Sequence, residues 1–331
     1  MMNFSLLSVL HKYNSFSIFT HIRPDGDAIG SSLALGIALM QRGKKIRVFC
    51  SDQIPAKYSF LPGIEQLHDF SPGKEKGGLA FILDCSDLDR LGKLKDRIAA
   101  FDVIVNIDHH ITNNHFGHVN LVDPSAASTG ELIFKLLQES NFDLNYEISL
   151  NLYVAISSDT GSFKYENTTP QTMRIAGELL EKGINPAVVS QKLFDEYPLS
   201  TIFLLRDSLA RLELNHTREI AWMSVNEEML KKYGAEPSEL DGFVNYLKNI
   251  SEVEVGVLFY HTAEGSKIGF RSKTIDVALI AQTFGGGGHP RAAGCTVFGS
   301  PREVEKKVID AINNSLEENR LSTANTLIDK F

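Results

Sequence analysis

The sequence has little cysteine and no pattern that would pair it. Its three cysteines, Cys50, Cys85 and Cys295, lie far apart, with neither a CxxC pair nor the even spacing of a disulfide framework. This scarcity excludes a disulfide-stapled secreted domain and a thiolate zinc site. It predicts a protein of the reducing cytoplasm.

Positive charge and long apolar runs are also scarce. The 331 residues carry 33 Lys and Arg against 41 Asp and Glu, a formal net charge of -8, whereas a large duplex-binding surface needs clustered cations. No apolar stretch approaches the length of a membrane span, so we expect no membrane association. What is present is a globular composition with 43% hydrophobic residues and a length that suits about two domains.

The first half of the chain alternates short apolar runs with helical patterns, which is typical of a parallel α/β sheet. Strands are predicted at 15–22, 46–50, 79–84 and 102–108, and helices at 28–45, 128–140, 146–159 and 169–183. The second half has strand patterns at 219–225, 252–262 and 266–272 and helical patterns at 276–284 and 301–318. We therefore predict an α/β fold with an N-terminal parallel-sheet domain over 1–185, a helical linker over 186–212 and a smaller C-terminal α+β domain over 213–331.

Carboxylates and imidazoles gather where the predicted strands and one helix end. They are His21, Asp25 and Asp27 after the first strand, then Asp84, then Asp108, His109 and His110, and Asp159 at the end of a helix. Taken singly, an Asp after a strand is commonly a helix cap or turn residue, and Asp27 stands directly before a helix. Because parallel strands bring their carboxyl ends to one edge, the set should converge, and so many carboxylates need compensating cations.

The ligand chemistry indicates which cations. Oxygen and imidazole donors without thiolate favour Mn²⁺, Mg²⁺ or Co²⁺ over structural zinc. The donors are too many for one catalytic ion, whereas two divalent ions that share a carboxylate use them all and suit phosphoryl hydrolysis. Cys85 is left out because strand alternation points it away from Asp84. Gly26 is expected to supply the backbone freedom that turns Asp25 and Asp27 toward different ions.

In the second half, GGGGHPRAAG at 285–294 is the unusual stretch. A helix cap followed by a hairpin would account for one or two of its glycines, whereas a run of four predicts backbone N–H groups converging on an anion. His289 and Arg291 would add donors. In SKIGFRS, alternation places Arg271 opposite the apolar residues, where it either forms a surface salt bridge or contacts a phosphate.

These motifs together resemble a known family. HIRPDGDAIGS, LDCSD, IDHH and SSDTGSF, in this order, resemble the four motifs of the DHH phosphoesterases, and GFRS with GGGGHPRAAG resembles the DHHA1 domain that accompanies them in one subfamily. The resemblance implies that His21, Asp25 and Asp84 hold one ion. It implies that Asp27, Asp84, His109 and Asp159 hold the second, with Asp84 as the bridge.

The resemblance also implies roles for the remaining residues. Asp108 would orient a ligating imidazole, and His110 would face the substrate phosphate or its leaving oxygen. The substrate's nucleotide or phosphate would be bound by residues of the second domain, namely Arg271, Ser272, Gly286, Gly287, Gly288, His289 and Arg291. The active site would then lie in the cleft between the two domains.

Members of this size and layout are nanoRNases, so the resemblance implies a hydrolase that degrades short single-stranded RNA and removes the 3'-phosphate of 3'-phosphoadenosine 5'-phosphate (PAP). It also implies a homodimer. The alternatives are a phosphodiesterase of cyclic di-AMP or of the linear dinucleotide pApA, a pyrophosphatase, a long-strand exonuclease of the RecJ kind, and a noncatalytic nucleotide sensor. The complete ligand set counts against a sensor.

Overall fold

The structure is a computed structural model that describes residues 6–69 and 77–328. Contacts within the chain divide it into two compact units, 1–196 and 197–331. The segment predicted as a linker is shared between them, because Val189 and Leu193 pack into the core of the first unit and Leu204 into a core of the second. The predicted outer limits at residues 1 and 331 lie outside the described residues.

The first unit is built on a six-stranded sheet in which all neighbours are parallel. Its strands are β1 (Ser15–Phe19), β2 (Lys45–Cys50), β3 (Leu67–Asp69), β4 (Leu79–Leu83), β5 (Val103–Asp108) and β6 (Val119–Val122). Their spatial order is β3-β2-β1-β4-β5-β6. The order reverses between β1 and β4, the point where open parallel sheets bind ligands. Of these six strands, the prediction missed the short edge strands β3 and β6.

The sheet of the first unit is covered by helices. They are α1 (Leu6–Lys12), α2 (Gly26–Gln41), α3 (Lys95–Ile98), α4 (Thr129–Glu139), α5 (Tyr146–Asp159), α6 (Pro170–Leu180) and α7 (Pro186–Ser190). α2 begins two residues before its predicted start because the Asp25 carboxylate accepts hydrogen bonds from the backbone N–H groups of Asp27 and Ala28. The residue that caps the helix is therefore Asp25. Asp27, for which capping is the alternative to metal binding, does not cap it.

α2 packs so closely against α5 that glycine is required at the contact. A Cβ on Gly30 would lie 2.4 Å from the backbone oxygen of Asn151, and a Cβ on Gly26 would lie 2.6 Å from the Cβ of Ser158. Gly26 does not have a left-handed φ, so the expected backbone freedom is not the reason for this glycine. It is needed because a neighbouring helix comes too close for a side chain.

We expect Gly30→Ala to destabilise the first unit by about 1–3 kcal/mol, since the backbone carbonyl of α5 cannot move aside as a flexible side chain could. The matched control lies in the same helix. A Cβ on Gly36 would sit 3.5 Å from the methyl groups of Ile46 and Val48, an ordinary contact, so Gly36→Ala should stabilise by about 0.5–1 kcal/mol. Urea unfolding of both variants checks this, and equal effects would contradict the close-packing argument.

The second unit contains a mixed sheet with helices on both faces. Its elements are α8 (Leu199–Leu209), β7 (Glu213–Leu214), β8 (Ile220–Asn226), α9 (Glu227–Tyr233), α10 (Phe243–Lys248), β9 (Val255–Thr262), β10 (Gly265–Ser272), α11 (Val277–Thr283), β11 (Gly287–His289), β12 (Ala292–Val297) and α12 (Pro301–Ile328).

The spatial order of these strands is β11-β12-β10-β9-β8-β7, and only the pair β8 and β9 is parallel. Alternating residues build two cores, as the period of a strand requires: Val257 and Phe259 face α11 and α12, while Leu258 faces the side of α9 and α10. The predicted α+β class of this half is confirmed. Among the described residues, no helix is long and apolar enough to cross a bilayer.

Candidate metal centre

The acidic and imidazole residues that the sequence singled out in the first half come together at the carboxyl edge of the parallel sheet. Their ligand atoms form three groups, each within 4.8 Å: His21 with Asp25 and Asp84, Asp27 with His109 and Asp159, and Asp84 with Asp108 and His110. This edge includes the switch point between β1 and β4. Asp84 is the residue that two of the groups share.

Asp84 turns its two oxygens toward different partners. Oδ2 lies 3.3 Å from Nε2 of His21, whereas Oδ1 lies 3.7 Å from Nε2 of His109 and 3.7 Å from Nδ1 of His110. The residue follows β4 directly and has φ 57°, a left-handed conformation that is uncommon for any residue with a side chain. This is the orientation that a carboxylate needs to bridge two cations.

Two of the imidazoles are anchored through Nδ1, which leaves Nε2 for a ligand. Nδ1 of His21 lies 2.7 Å from the carbonyl oxygen of Ile22, and Nδ1 of His109 lies 3.3 Å from that of Ala126. Because a carbonyl oxygen only accepts, Nδ1 carries the donated hydrogen in each ring. The Nε2 atoms, which face the carboxylates, then offer lone pairs in the neutral imidazole, as metal-binding histidines do.

The carboxylate of Asp108 contacts His110 and Asn113. Its Oδ1 lies 2.7 Å from Nδ1 of His110, and its Oδ2 accepts a hydrogen bond of 2.6 Å from Nδ2 of Asn113. Both His109 and His110 approach Oδ1 of Asp84, at 3.7 Å each, so the two rings lie on the same side of the cluster. Asp108 therefore contacts one histidine of the cluster together with Asn113, a residue that motif and spacing did not predict.

Asp27 is bound by the first turn of α4. Its Oδ2 accepts from the N–H of Thr129 at 2.7 Å, and its Oδ1 accepts from the N–H of Gly130 at 2.8 Å and from Oγ of Ser31 at 3.1 Å. Backbone N–H groups at a helix start have no partner within the helix, and they favour an anion. The sequence predicted this helix near residue 128, but it did not predict which carboxylate its first N–H groups meet.

Asp159 ends α5 immediately before a strained turn. Its Oδ2 lies 3.5 Å from Nε2 of His109 and 3.3 Å from Nδ2 of Asn167. The next residues include a left-handed run at 161–163, with φ of 55°, 59° and 62°. Each non-glycine residue in that conformation costs about 1–2 kcal/mol, and such strain collects at functional sites. The backbone therefore departs from ordinary geometry beside this carboxylate.

Burial and mutual repulsion raise the pKa of two carboxylates of the cluster, Asp27 and Asp159. Burial, with the charges of Asp84 and Asp159, holds the pKa of Asp27 well above its usual range. Burial also raises the pKa of Asp159 to about 7, and the negative charges of Asp25 and Asp84 add to the shift. These acids resist ionisation because their negative charges are crowded and shielded from water.

The pKa values of two imidazoles are raised as well, although burial acts against this shift. Burial alone would lower the pKa of His21, but hydrogen bonds to Asp25 and Asp84 outweigh it and raise that pKa to about 10. His110 behaves likewise: its hydrogen bond to Asp108 overcomes burial and raises its pKa to about 9. A buried cluster of carboxylates that draws protons onto its neighbours fits divalent cations, and its oxygen and imidazole donors suit Mn²⁺, Mg²⁺ or Co²⁺.

In the second unit, the predicted substrate-binding residues meet where β10 ends beside β12. Nη1 of Arg291 donates to the carbonyl oxygen of Ile275 at 2.8 Å, and the Ser272 hydroxyl donates to the same oxygen at 2.5 Å. Arg271 pairs with Ala292 in the strand ladder. Ser272 is buried, with 3% exposure, and its hydroxyl donates to a carbonyl oxygen of the turn that follows β10. This contact stabilises the turn.

Local geometry accounts for three of the four consecutive glycines. Gly285 has φ 73° after α11, a Cβ on Gly286 would lie 2.2 Å from the oxygen of Gly294, and Gly288 combines φ 142° with a Cβ only 2.5 Å from the oxygen of Ala292. The expectation that a cap and hairpin explain only one or two of them is therefore wrong. A Cβ on Gly287 would meet nothing within 4 Å.

Comparison with known proteins agrees with the motifs. The model of the DHH family N-terminal domain matches residues 15–156, and that of the DHHA1 domain matches residues 221–318. A protein of Thermus thermophilus named bifunctional oligoribonuclease and PAP phosphatase NrnA is 32% identical over 301 residues, which cover 90% of this chain and 89% of the relative. Its namesake from Bacillus subtilis is 27% identical over 90% of this chain and 94% of its own.

A solved structure is similar over nearly the whole chain. The crystal structure of an exopolyphosphatase-related protein from Bacteroides fragilis matches with a TM-score of 0.85 and 26% identity, covering 94% of each chain. The resemblance drawn from the four motifs and from the glycine-rich stretch is thus confirmed. The chain belongs to the DHH family and carries a DHHA1 domain in its second half.

Proposed function

We propose that this chain is a divalent-metal-dependent phosphoesterase that hydrolyses short oligoribonucleotides and removes the 3'-phosphate of PAP. The observation that carries the proposal is Asp84, whose two oxygens face separate sets of ligand atoms. Paired divalent ions stabilise the charge of a phosphoryl group during displacement and lower the pKa of bound water. The relatives named for both activities support this substrate class.

The proposed ligands follow the groups of the cluster. One ion is assigned to His21, Asp25 and Asp84, and the second to Asp27, Asp84, His109 and Asp159, as the family resemblance implies. We propose Mn²⁺ as the working ion, with Mg²⁺ and Co²⁺ as the alternatives. The donor atoms of each set lie on different elements, so the fold has to form before either set exists.

We propose that His110 donates a proton to the departing oxygen. The buried carboxylate of Asp108 binds its Nδ1 at 2.7 Å and thereby stabilises the imidazolium form, which leaves Nε2 as the donating atom. Asn113 holds the other oxygen of Asp108 and keeps that carboxylate in place. A protonated leaving oxygen departs as a neutral hydroxyl, which lowers the barrier for breaking its bond to phosphorus.

We propose that the second unit binds the nucleotide part of the substrate through Arg271, Gly286, Gly287, Gly288, His289 and Arg291. Gly287 offers the clearest test because neither its backbone conformation nor a close neighbour requires a glycine at this position. Gly287→Ala should leave the unfolding midpoint unchanged and raise KM for PAP by about tenfold, as expected when a methyl group displaces a phosphate from backbone donors. Unchanged kinetics in a normally folded variant would remove Gly287 from the site.

A side-by-side assay tests the proposed function. The metal-free protein is supplied with Mn²⁺ and offered PAP, pApA, a five-nucleotide RNA, cyclic di-AMP and pyrophosphate. We expect product from PAP, pApA and the short RNA, and loss of all activity when EDTA removes the ion. Turnover of pyrophosphate alone, or of cyclic di-AMP in preference to the RNA, would overturn the assignment, and no turnover of any substrate would favour a nucleotide sensor.

We further propose a homodimer that works in the cytoplasm. Cys50, Cys85 and Cys295 are each buried and form no disulfide, which suits a reducing compartment. Light scattering after size-exclusion chromatography and fractionation of cells test the two parts separately.

A further inference from the structure

We propose that Thr129 is a positioning residue that holds two metal-binding carboxylates in their working orientation. This inference rests on the proposed two-metal site and adds a residue that does not itself offer a ligand. The backbone N–H of Thr129 donates to Oδ2 of Asp27 at 2.7 Å, and its side-chain Oγ1 donates to Oδ1 of Asp84 at 3.0 Å. One residue therefore contacts a carboxylate of α2 and the carboxylate that follows β4.

The burial of Thr129 gives these contacts their weight. Thr129 is fully buried, and Asp27 and Asp84 are 1% and 2% exposed, so water does not replace a donor that is lost. Hydrogen bonds to charged groups are the stronger ones, and an unpaired buried charge is costly. Because Thr129 is the first residue of α4, its N–H has no partner inside the helix and is available to Asp27.

The Thr129 hydroxyl binds one oxygen of the Asp84 carboxylate and thereby orients both of its oxygens. Oδ1, which accepts from Thr129, is the oxygen on the side of His109, and Oδ2 is then directed at His21. Without the hydroxyl, the carboxylate loses its donor at Oδ1, and its rotation about the Cβ–Cγ bond is less restricted. Metal binding would have to supply that order, and groups that orient metal ligands change affinity by about 10–100-fold when removed.

The test is direct titration of Mn²⁺ into the metal-free full-length protein by calorimetry. Thr129→Val keeps the size of the side chain and removes the donor, so at least one Mn²⁺ should bind about 10–100-fold more weakly. Thr129→Ser keeps the hydroxyl and should bind within about threefold of the unaltered protein. The matched control is Thr172→Val, which removes a buried threonine hydroxyl that donates to Glu131, outside the cluster, and should bind Mn²⁺ normally.

The outcomes separate this inference from the proposed function. If the unaltered protein binds no Mn²⁺, the two-metal site is wrong. If it binds two ions and Thr129→Val binds them equally well, only the role of Thr129 is wrong. Should Thr129→Val fail to fold, Thr129→Ala is compared with Thr129→Ser, since these differ by the hydroxyl alone, and equal affinities in that pair would overturn the inference. Thermal unfolding of the metal-free variants shows that the affinity change is not a loss of fold.

Discussion

Asp84→Asn is expected to lower turnover of PAP by at least about 10²–10³-fold, the cost of removing a central electrostatic group from a catalytic site. The substitution removes the charge that faces His21 through one oxygen and His109 through the other. It should also weaken Mn²⁺ binding, because an amide offers a neutral oxygen to one ion and no acceptor to the second. Steady-state kinetics and Mn²⁺ calorimetry measure the two effects.

Asparagine is a better replacement here than alanine. Asp84 has φ 57°, and asparagine is enriched several-fold among residues that adopt a left-handed conformation, so the backbone is preserved. The matched control is Asp123→Asn, a carboxylate just after β6 whose contacts are with Ser125. If both variants lost activity alike, or Asp84→Asn kept full activity with Mn²⁺, the bridging role would be refuted.

The second large effect is on stability: the metal-free protein should become less stable as pH rises from 6.5 to 8.5, and Mn²⁺ should stabilise it more at the higher pH. His21 and His110 have folded-state pKa values of about 10 and about 9. A raised imidazole pKa contributes stability that is complete below the unfolded pKa and is lost as pH rises toward the folded value. Each such group contributes up to about 1.4 kcal/mol per pH unit.

The raised acids act in the same direction. Asp159, with a pKa of about 7, and Asp27, whose pKa is also raised, favour the folded state most when they are protonated. Their contribution falls as pH rises toward their folded pKa and is constant above it. Asp84 has a lowered pKa, which burial opposes and the imidazoles produce, so its contribution is lost only in acid, outside this range. A cation takes the place of the protons, which is why its stabilisation grows with pH.

Thermal unfolding with EDTA and with saturating Mn²⁺, at intervals between pH 6.5 and 8.5, measures this dependence. The expected result is a falling midpoint without metal and a widening difference between the two series. The control is Asp27→Asn with Asp159→Asn, a pair that should flatten the metal-free curve in the lower half of the range. A metal-free midpoint that rises with pH would show that the cluster is not charged as described.

The central strands and the edge on which the ligands meet were predictable because both depend on local pattern. Apolar runs of strand length separated by helical periods specify a parallel sheet, and a parallel sheet brings its carboxyl ends to one side. The edge strand β6 was not predicted because it is short and half-buried, so its residues show no clear alternation of apolar and polar side chains. The number of glycines that local geometry requires was underestimated, because the oxygens that crowd Gly286 and Gly288 belong to β12 and a pattern of residue types does not show which backbone comes near.

The sequence by itself determined the family, the parallel sheet, and which carboxylates and imidazoles gather at its edge, because strand ends and motif residues are local in the chain. Only the tertiary structure decided their partners: that Asp108 binds His110, that Asp25 caps α2, and that Thr129 reaches Asp27 and Asp84. The contacts of Thr129 span 102 and 45 residues of chain. Hydrogen-bond geometry over such separations depends on how whole elements pack, at distances and angles that residue types and spacing do not encode.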